Sequence, residues 1–575
     1  MTRISLFICG LAILAPQPVL AQQTDKKVMP RITIVHPGSS ALKADLKALL
    51  NLTNSKEKKQ WKNVRGYLDE FSQGVNEGKP IRIDFMTERA DLPKRISIPV
   101  TDIKAFRSGL EILGVESGRA SGASRRDKNL YQLKDSYDGF MRYLGGYATF
   151  GSEKNDIAAL VLKGVESDIA GIVARRFNLG AELVNTKLDE PSIQLRRNKF
   201  QDIRENARSA LKKKSTETKA AFELRSALAR HQMDEAERLM ADIERLTVGL
   251  KFENDVKDAM VVLDLKPIAN SELAKTMNEF SQIPDMFAAI KRADNSILSL
   301  RVNHPLDEMR RKNYAENWKL AVPETHERID RNDTTDTEKK FAKELAAHTY
   351  NMLKQGSERG NVNGFIEVTR ETDGKHIMLT GLNVPAECDL VGFLELIPKA
   401  SAKQSLEKNV AKYGKTDIHK LTIKSRYDAE FQDFFGNDGV VWIGTSDSGL
   451  WMGVGKGAEK KLEEAIKLVE AKEPQDMGDI VNLFVHLRPW VDLVHRLETK
   501  LALPTDRRAK TRRQEARELR RRALEAMSDM DDTMTMKWAK VQGDRLESST
   551  KVSTGVLRLL GKLLAKFSKE TFEVN

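Results

Sequence analysis

The sequence predicts an α+β fold: two tandem related α/β units with mostly antiparallel sheets, each carrying a long charged helical hairpin. Three observations predict it. The apolar stretch Val440–Val454 is typical of two strands joined by a turn. The segment Leu130–Phe150 shows the same pattern earlier in the chain. A chain of 575 residues is too long for one compact core, so more than one unit is expected.

The order of predicted elements supports a duplication. Each half runs through a strand, helices, a strand pair, a helix, further strands, a charged helical pair, a second strand pair and a closing helix. Leu298–Val302 corresponds to Ile32–Val35, and both strands lead into a His-Pro pair. Matching parts lie roughly 270 to 310 residues apart, which indicates one duplication and not a solenoid of short repeats.

Three assignments in the second half are specific enough to test. Leu390–Ile397 is predicted to be a strand, because it is a short apolar run followed by Pro398. Ala402–Tyr413 is predicted to be the helix that follows it. Asp479–Leu487 is predicted to be a strand that corresponds to Asp168–Val173 in the first half.

The predicted organisation divides the chain into seven segments. In chain order they are a signal peptide at 1–21, a first α+β unit at 30–190, a first helical arm at 191–245, a strand pair and helix completing that unit at 246–295, a second α+β unit at 296–485, a second, basic helical arm at 486–531 and a terminal strand pair and helix at 532–575. From about Ser192 to Leu246 the chain has neither Gly nor Pro, and charged residues alternate with Ala and Leu, which is typical of a solvated helical pair.

The first segment predicts export. Arg3 precedes the apolar run Ile4–Ala15, which is short for a bilayer span, and Val19-Leu20-Ala21 provides small residues for cleavage. An uncleaved anchor is the alternative. After cleavage the sequence predicts no transmembrane segment and one cysteine, Cys388, so an internal disulfide is excluded. The expected location is the periplasm, the cell envelope or the exterior of a bacterium.

No stretch of the sequence has the spacing of a known catalytic motif. Asp447-Ser448-Gly449 resembles an aspartic-protease triplet, but it occurs once, and Asp and Gly also suit a hairpin turn. Gly453–Gly457 lacks the spacing of a dinucleotide or P-loop motif. The nine histidines are scattered, so neither a metal centre nor a cofactor is expected.

Two features are candidate binding sites. The net charge is +12, and the predicted second arm holds a dense basic run that could contact an anionic envelope component. Its basic residues are Arg507, Arg508, Lys510, Arg512, Arg513, Arg517, Arg520, Arg521 and Arg522. A solvated helical arm is the alternative interpretation. Nucleic acid is not expected, because the chain is predicted to be exported and the run lacks interleaved aromatic residues.

The second candidate is a pair of histidines at matching positions. His36 and His304 each precede a proline at the end of the first strand of their half. A repeated strand-end turn explains the pattern, and a pair of symmetry-related binding positions is the functional alternative.

Several short motifs resemble those of a known group of proteins. They are the export signal, Lys59-Gln60-Trp61, the stretch Gly145–Gly151, and Gly555–Arg558 after the terminal strand pair. In these features the chain is similar to large secreted proteins of unknown function from planctomycete-type bacteria, and the resemblance covers most of the chain. It implies export and assigns no catalytic residue.

Three functions are therefore expected from the sequence. The first is an exported, non-enzymatic binding or scaffold protein of the periplasm or cell envelope. The second is an exported hydrolase-type enzyme whose site lies between the two halves. The third is an envelope-attached protein that binds anionic lipid or polysaccharide through Arg507–Arg522.

Overall fold

The strands that the structure describes form a single antiparallel sheet. The computed structural model describes residues 31–572, except 54–68, 70–71, 86–93, 113, 122–127, 160, 163–164, 166–176, 186–187, 216, 254–257, 281, 333, 425–427, 437–438, 473, 475–478, 500–506 and 542–543. Within these residues, 20 strands belong to one hydrogen-bonded sheet. The predicted signal at 1–21, the Lys59-Gln60-Trp61 motif and the predicted strand Asp168–Val173 lie outside the described residues.

Ten strands belong to the first half. They are β1 Arg31–His36, β2 Ile81–Phe85, β3 Lys94–Pro99, β4 Val115–Arg119, β5 Leu130–Asp135, β6 Gly139–Leu144, β7 Tyr147–Gly151, β8 Leu179–Val184, β9 Ile243–Glu253 and β10 Asp258–Pro267. Their antiparallel pairings give the spatial order β4-β5-β6-β7-β3-β2-β1-β8-β9-β10.

The second half also contributes ten strands. They are β11 Ser296–Pro305, β12 Asn361–Arg370, β13 His376–Asn383, β14 Gln404–Tyr413, β15 Thr416–Ile423, β16 Val440–Thr445, β17 Gly449–Val454, β18 Asp479–His486, β19 Thr533–Val541 and β20 Arg545–Ser553. Their order is β14-β15-β16-β17-β13-β12-β11-β18-β19-β20, which repeats the order of the first half strand for strand.

The last strands of the two halves join them into one sheet. Strand β10 pairs antiparallel with β20, in a register that runs from Asp258 opposite Ser553 to Leu265 opposite Leu546. Because these two strands hold the same place in their halves, their antiparallel pairing relates the halves by an approximate twofold rotation. The α+β class predicted from the sequence is confirmed. The repeated order supports the duplication, which itself stays a proposal.

Several of the described helices lie at corresponding places of the two halves. In the first half they are α1 Ser39–Asn51, α2 Ile103–Ile112, α3 Glu190–Ala210, α4 Lys219–Ala241 and α5 Glu272–Glu279. In the second half they are α6 Glu308–Asp330, α7 Asp336–Arg359, α8 Leu390–Ala400, α9 Asp428–Phe435, α10 Ala458–Glu470, α11 Leu487–Thr499, α12 Arg507–Ala526 and α13 Thr554–Phe572. Among the described helices, none combines the length and apolar character needed to span a bilayer.

Local sequence explains where the long helices begin and end. Asp189 caps α3 by accepting a hydrogen bond from the backbone of Ser192, and a proline lies in the first turn. Thr335 and Glu338 form a capping box at the start of α7. That helix ends at Gly360, whose φ of 94° places it in the left-handed region.

Two of the sequence assignments are wrong, and a third, the strand predicted at Asp479–Leu487, is observed as β18 but has a different counterpart. Leu390–Ile397 lies in helix α8, because Asp389 accepts a hydrogen bond from the backbone of Gly392 and caps it. Most of Ala402–Tyr413 forms the edge strand β14, not a helix. The counterpart of β18 in the pairing order is β8 at Leu179–Val184, not Asp168–Val173.

The hairpin β16–β17 carries the main core of the second half. Trp451 on β17 is only 2% exposed. Its ring centroid lies 5.3 Å from that of Phe287 and 6.0 Å from that of Phe365 on β12. Gly381 on β13 leaves room for these rings, since a Cβ there would lie 2.6 Å from both phenylalanines. Phe287 belongs to the connection between the halves, which is thereby fixed onto the sheet.

Polar contacts between helices join the halves a second time. Helix α4 of the first half packs against α6 of the second half, and charged pairs follow their line of contact. Glu235 receives hydrogen bonds from Arg310, with the closest at 2.6 Å. Arg238 lies 3.0 Å from Asp307 at one end of this line, and Arg230 lies 2.6 Å from Glu316 at the other.

Candidate functional site

A polar site lies where the connection between the halves crosses the sheet. We call residues 283–296 the linker and the cavity beside it the linker pocket. The pocket has a volume of about 220 Å³. Its lining residues are all polar or charged: Asp285, Lys291, Arg292, Ser299, Arg301, Asn303, Asp479 and Asn482.

Strand β11 forms the floor of the linker pocket. Ser299, Arg301 and Asn303 alternate along it, so their side chains share one face of the sheet. Arg301 lies directly opposite Asn482 of β18 on one side and Phe365 of β12 on the other. The strand pairing therefore places a polar residue, Asn482, on one side of Arg301 and an aromatic residue, Phe365, on the other.

Hydrogen bonds from the same face hold the linker in place. Nη1 of Arg301 donates to the carbonyl of Phe287 at 3.0 Å. Nδ2 of Asn303 donates to the carbonyl of Ile283 at 2.7 Å. On β12, Oε1 of Glu367 accepts from the backbone of Ala293 at 3.1 Å. These side chains cover both ends of the linker, so the pocket has fixed walls.

The two carboxylates of the pocket are already engaged. Asp285, 5% exposed, accepts through Oδ1 from the amide of Asn363 at 2.9 Å and from the backbone of Phe287 at 2.8 Å. Asp479 lies 2.9 Å from Nζ of Lys537 and accepts from Asn482 at 3.2 Å. Both groups therefore stabilise the walls of the pocket.

The cationic groups of the pocket have fewer partners. Burial lowers the pKa of Arg301, although Asp285 and Glu367 oppose this effect. Nη2 of Arg301 is buried and finds no hydrogen-bond acceptor among the described residues. The guanidinium of Arg292 lies 4.2 Å from the ring centroid of Phe484. The arrangement suits an anion better than a cation.

The basic run predicted from the sequence lies on α12 and divides into two parts. Arg520 pairs with Glu498, and Arg517 donates to the Glu498 carbonyl at 2.6 Å. Hydrogen bonds from Arg521 and Arg522 lower the pKa of Glu518 to about 2. The second part of the run, Arg517–Arg522, therefore binds to groups of the same helical arm.

The first part of the run faces solvent. Arg507, Lys510 and Arg512 are exposed, and within the described part of the chain none of them forms an ion pair. Arg513 is half-buried and has a partner, while nothing is described for the side chain of Arg508. Any anionic contact of this helix is therefore expected at its first turns.

The matching histidines lie in different surroundings. Nδ1 of His36 accepts a hydrogen bond from the backbone of Gly38 at 3.2 Å, which forms a local turn. The ring of His304 packs edge-on against Phe280, with 5.5 Å between centroids. The contacts of His36 agree with a strand-end turn. The alternative of paired binding positions stays a prediction.

One group of potential metal ligands lies away from the linker pocket. Ligand atoms of His486, Asp531 and Asp532 lie within 4.8 Å of one another. Nδ1 of His486 is 2.7 Å from Asp532, and the other oxygen of Asp532 accepts from the backbone of Arg488 at 2.7 Å. Through these two bonds Asp532 holds both the end of β18 and the start of α11. The expectation of no metal centre stays a prediction.

Four histidines predict how stability depends on pH. Burial lowers the pKa of His36, His304, His376 and His419 from 6.5. The unfolded chain therefore binds more protons than the folded chain below pH 6.5, so acidification favours unfolding. We expect the free energy of unfolding to fall as the pH drops below about 6.5, before the range in which ordinary carboxylates titrate.

Urea unfolding at several pH values checks this expectation. His419 is the most informative site, because it is fully buried and its ring accepts from Asn409 and bonds to Thr445. Its replacement by glutamine should make the pH dependence shallower. A stability that stays constant or rises on acidification across this window would contradict the assignment of these rings as neutral.

The linker pocket was not anticipated from the sequence. The available signal was the alternation of Ser299, Arg301 and Asn303 in an otherwise apolar strand. The sequence does not show which strands lie beside β11. The alternation alone therefore does not tell whether this face of the strand is exposed to solvent or covered by other residues. In comparisons with protein-family models, curated proteins and solved structures, nothing matches this chain.

Proposed function

We propose that this chain is an exported, non-enzymatic binding or scaffold protein of the periplasm or cell envelope. The observation that carries the proposal is the linker pocket. Its carboxylates are occupied by donors from the protein, while Arg301 retains a buried N–H without an acceptor. This arrangement favours holding a ligand over transferring protons. The predicted export signal and the resemblance to secreted planctomycete-type proteins support the proposed location.

The hydrolase alternative requires a different use of the same groups. A hydrolytic site needs a general base that is free to accept a proton from water or from a nucleophile. Asp285 and Asp479 converge on the pocket, but each already accepts hydrogen bonds from neighbouring donors. The binding function therefore needs no rearrangement, and the hydrolase function needs one of these carboxylates to be released.

Cell fractionation tests the proposed location. We expect the protein in the periplasmic or envelope fraction, with its N-terminus at about Gln22 after signal cleavage. Purified mature protein should bind a ligand and release it chemically unchanged. Recovery in the cytoplasm with Met1–Ala21 retained would contradict the export, and turnover of the bound ligand would support the hydrolase.

A second function, electrostatic attachment to the envelope, is favoured by the exposed start of α12. Arg507, Lys510 and Arg512 face solvent near the N-terminal end of a helix, where the helix dipole also attracts anions. Each cation near an anionic membrane surface contributes about 1 kcal/mol to binding. Three such cations together would give weak, salt-sensitive attachment.

Reversing these three charges tests the attachment. We expect Arg507→Glu, Lys510→Glu and Arg512→Glu together to weaken envelope binding by about 3 kcal/mol, so that less salt releases the protein. The matched control reverses Lys212, Lys213 and Lys214, which are equally exposed in another arm. Equal release of both variants would show that net charge, and not α12, determines the attachment.

A further inference from the structure

We propose that the linker pocket binds the oxyanion group of a small hydroxylated ligand, a phosphate or a carboxylate. In this proposal Arg301 and Lys291 bind the oxyanion, and Asn303 accepts a hydrogen bond from a hydroxyl of the ligand. The assignment rests on the proposed binding function and adds the class of ligand. It also names the side chains that distinguish this pocket from the rest of the sheet.

The balance of unpaired charge in the pocket points to an anion. Asp285 and Asp479 are each held by donors from the protein, as described above. Lys291 is exposed at the edge of the pocket and forms no ion pair with any described residue. Arg301 forms none either. Lys291 therefore offers a ligand a cationic group outside any described ion pair, and Arg301 offers a buried N–H without an acceptor, although the charges of Asp285 and Glu367 act on its guanidinium.

Arg301 supplies the most specific contact. Its Nη1 bond to the Phe287 carbonyl fixes the guanidinium plane on the floor of the pocket. Its Nη2 has no acceptor among the described residues, although the atom is buried. A buried donor without an acceptor is unfavourable, and a charged donor more so. An oxyanion seated beside Arg301 supplies the missing acceptor, and guanidinium geometry suits phosphate and carboxylate oxygens.

Asn303 indicates a hydroxyl group on the same ligand. The side chain is 7% exposed and lines the pocket. Its Nδ2 is used by the Ile283 carbonyl, while Oδ1 has no donor within the described part of the chain. A hydroxyl of the ligand can donate to this oxygen. Asn303 and Arg301 lie two positions apart on one strand face, so the anionic group and the hydroxyl belong to a short molecule.

The first half does not repeat this site. Thr33 on β1 holds the place that Arg301 holds on β11, three residues before the histidine of the His-Pro pair. The hydroxyl of Thr33 donates to Asp84 at 2.9 Å. Asp84 also forms ion pairs with Arg82 at 2.8 Å and with Arg95 at 3.0 Å. The first half therefore fills the matching position with an internal network, and we expect one ligand per chain.

Calorimetric titration of the purified full-length mature protein tests the proposal. The probes are glycerol phosphate and glycerate, which share a hydroxylated carbon skeleton and differ in the anionic group, and glycerol as the neutral control. We expect saturable binding of one or both anions with a stoichiometry of one, and none of glycerol. The anion that binds more tightly shows whether the pocket prefers a phosphate or a carboxylate.

Variants locate the binding. Arg301→Gln should weaken binding at least about tenfold, because it removes a charged hydrogen bond. Lys291→Gln, at an exposed position that does not support the fold, should weaken it several-fold. Arg331→Gln removes the same charge at the tip between α6 and α7, where Arg331 is 63% exposed, and should leave binding unchanged.

Three results would overturn the proposal. They are the absence of binding heat from both anions at concentrations on the order of 10 mM, binding of glycerol as strong as that of the anions, and equal losses in Lys291→Gln and Arg331→Gln. The last result would mean that general positive charge attracts the anion. None of these bears on export, so failure of the ligand assignment stays distinguishable from failure of the proposed function.

Discussion

Replacing Asp307 with alanine is expected to lower the free energy of unfolding by about 3–5 kcal/mol, because it breaks a buried ion pair between the two halves. Asp307 is 6% exposed. It accepts hydrogen bonds from Arg238 of α4 at 3.0 Å and from Thr276 of α5 at 3.1 Å, and it caps α6 through the backbone of Arg310. The substitution leaves the Arg238 guanidinium partly buried without its counter-ion.

The pKa of Asp307 agrees with this role. Burial by itself would raise the pKa, but hydrogen bonds and charge from Arg238 and Arg310 hold it below the ordinary value of 3.8. The carboxylate is therefore charged in the folded protein at neutral pH. Its contribution to stability is present above pH 3.8 and is lost as the pH falls toward the folded-state pKa.

Urea unfolding with a neighbouring control measures the effect. Glu308 is the matched control, since it lies next to Asp307 in the first turn of α6 but is exposed. Glu308→Ala should cost less than about 1 kcal/mol, because an exposed acid at a helix start contributes little. Similar losses in both variants would mean that α4 and α6 are not joined through Asp307.

The second large effect is expected at Trp451. Replacing this tryptophan with alanine should cost about 3–5 kcal/mol, because it leaves a cavity in a close-packed core. The side chain is 2% exposed and contacts Phe287 of the linker and Phe365 of β12. Since Phe287 also provides the carbonyl that binds Arg301, the substitution should weaken ligand binding in the linker pocket as well.

Trp442 on the neighbouring strand is the natural comparison. It belongs to the same hairpin but is only partly buried. Trp442→Ala should therefore lower the unfolding free energy by clearly less than Trp451→Ala, in the same urea titration. The reverse order would contradict the packing described for the second half.

The central hairpin was predictable because its signals are local. Val440–Val454 consists of apolar and β-branched residues around Ser446–Gly449, and the structure forms β16 and β17 with a turn bond from the backbone of Ser446 to the carbonyl of Gly449. The helix α10 that follows the hairpin, Ala458–Glu470, is also encoded locally. Its apolar residues recur at helical spacing, and the core covers that face.

The wrong assignments arose where tertiary context outweighs local pattern. Strand β14 lies at the edge of the sheet, so its charged residues are exposed and their spacing resembles a solvated helix. Its pairing with β15 shifts between Glu407 and Ala411, and Asn409 has a φ of 54°. The short apolar run Leu390–Ile397 resembled a buried strand because the cap at Asp389 was not used as a signal.

The linker pocket depends on information that a single sequence does not contain. Its walls come from β11, β18 and the linker. Arg301 on β11 and Asn482 on β18 lie opposite each other but are 181 positions apart in the sequence (482 − 301).

The sequence alone shows that the basic residues cluster between Arg507 and Arg522. Glu518 pairs with Arg521 and Arg522 through helical spacing within α12, which the sequence shows. The pairing of Arg520 with Glu498 depends on how α11 packs against α12, which the sequence does not show.

A disulfide across the junction of the two halves tests most directly whether they form one sheet. Val261 on β10 lies opposite Thr550 on β20. In a background without Cys9 and Cys388, cysteines at these two positions should cross-link on mild oxidation, since opposite residues on paired strands lie close together. Peptide mass spectrometry detects the link.

The control pair places cysteines at Val261 and Glu547. Glu547 lies opposite Asp264, three residues further along β10, so this pair should remain reduced in the folded protein. Efficient linkage of 261 to 550 with free thiols in the control would support the continuous sheet. Free thiols at 261 and 550, or equal linkage of both pairs, would contradict the pairing of β10 with β20 and the twofold relation built on it.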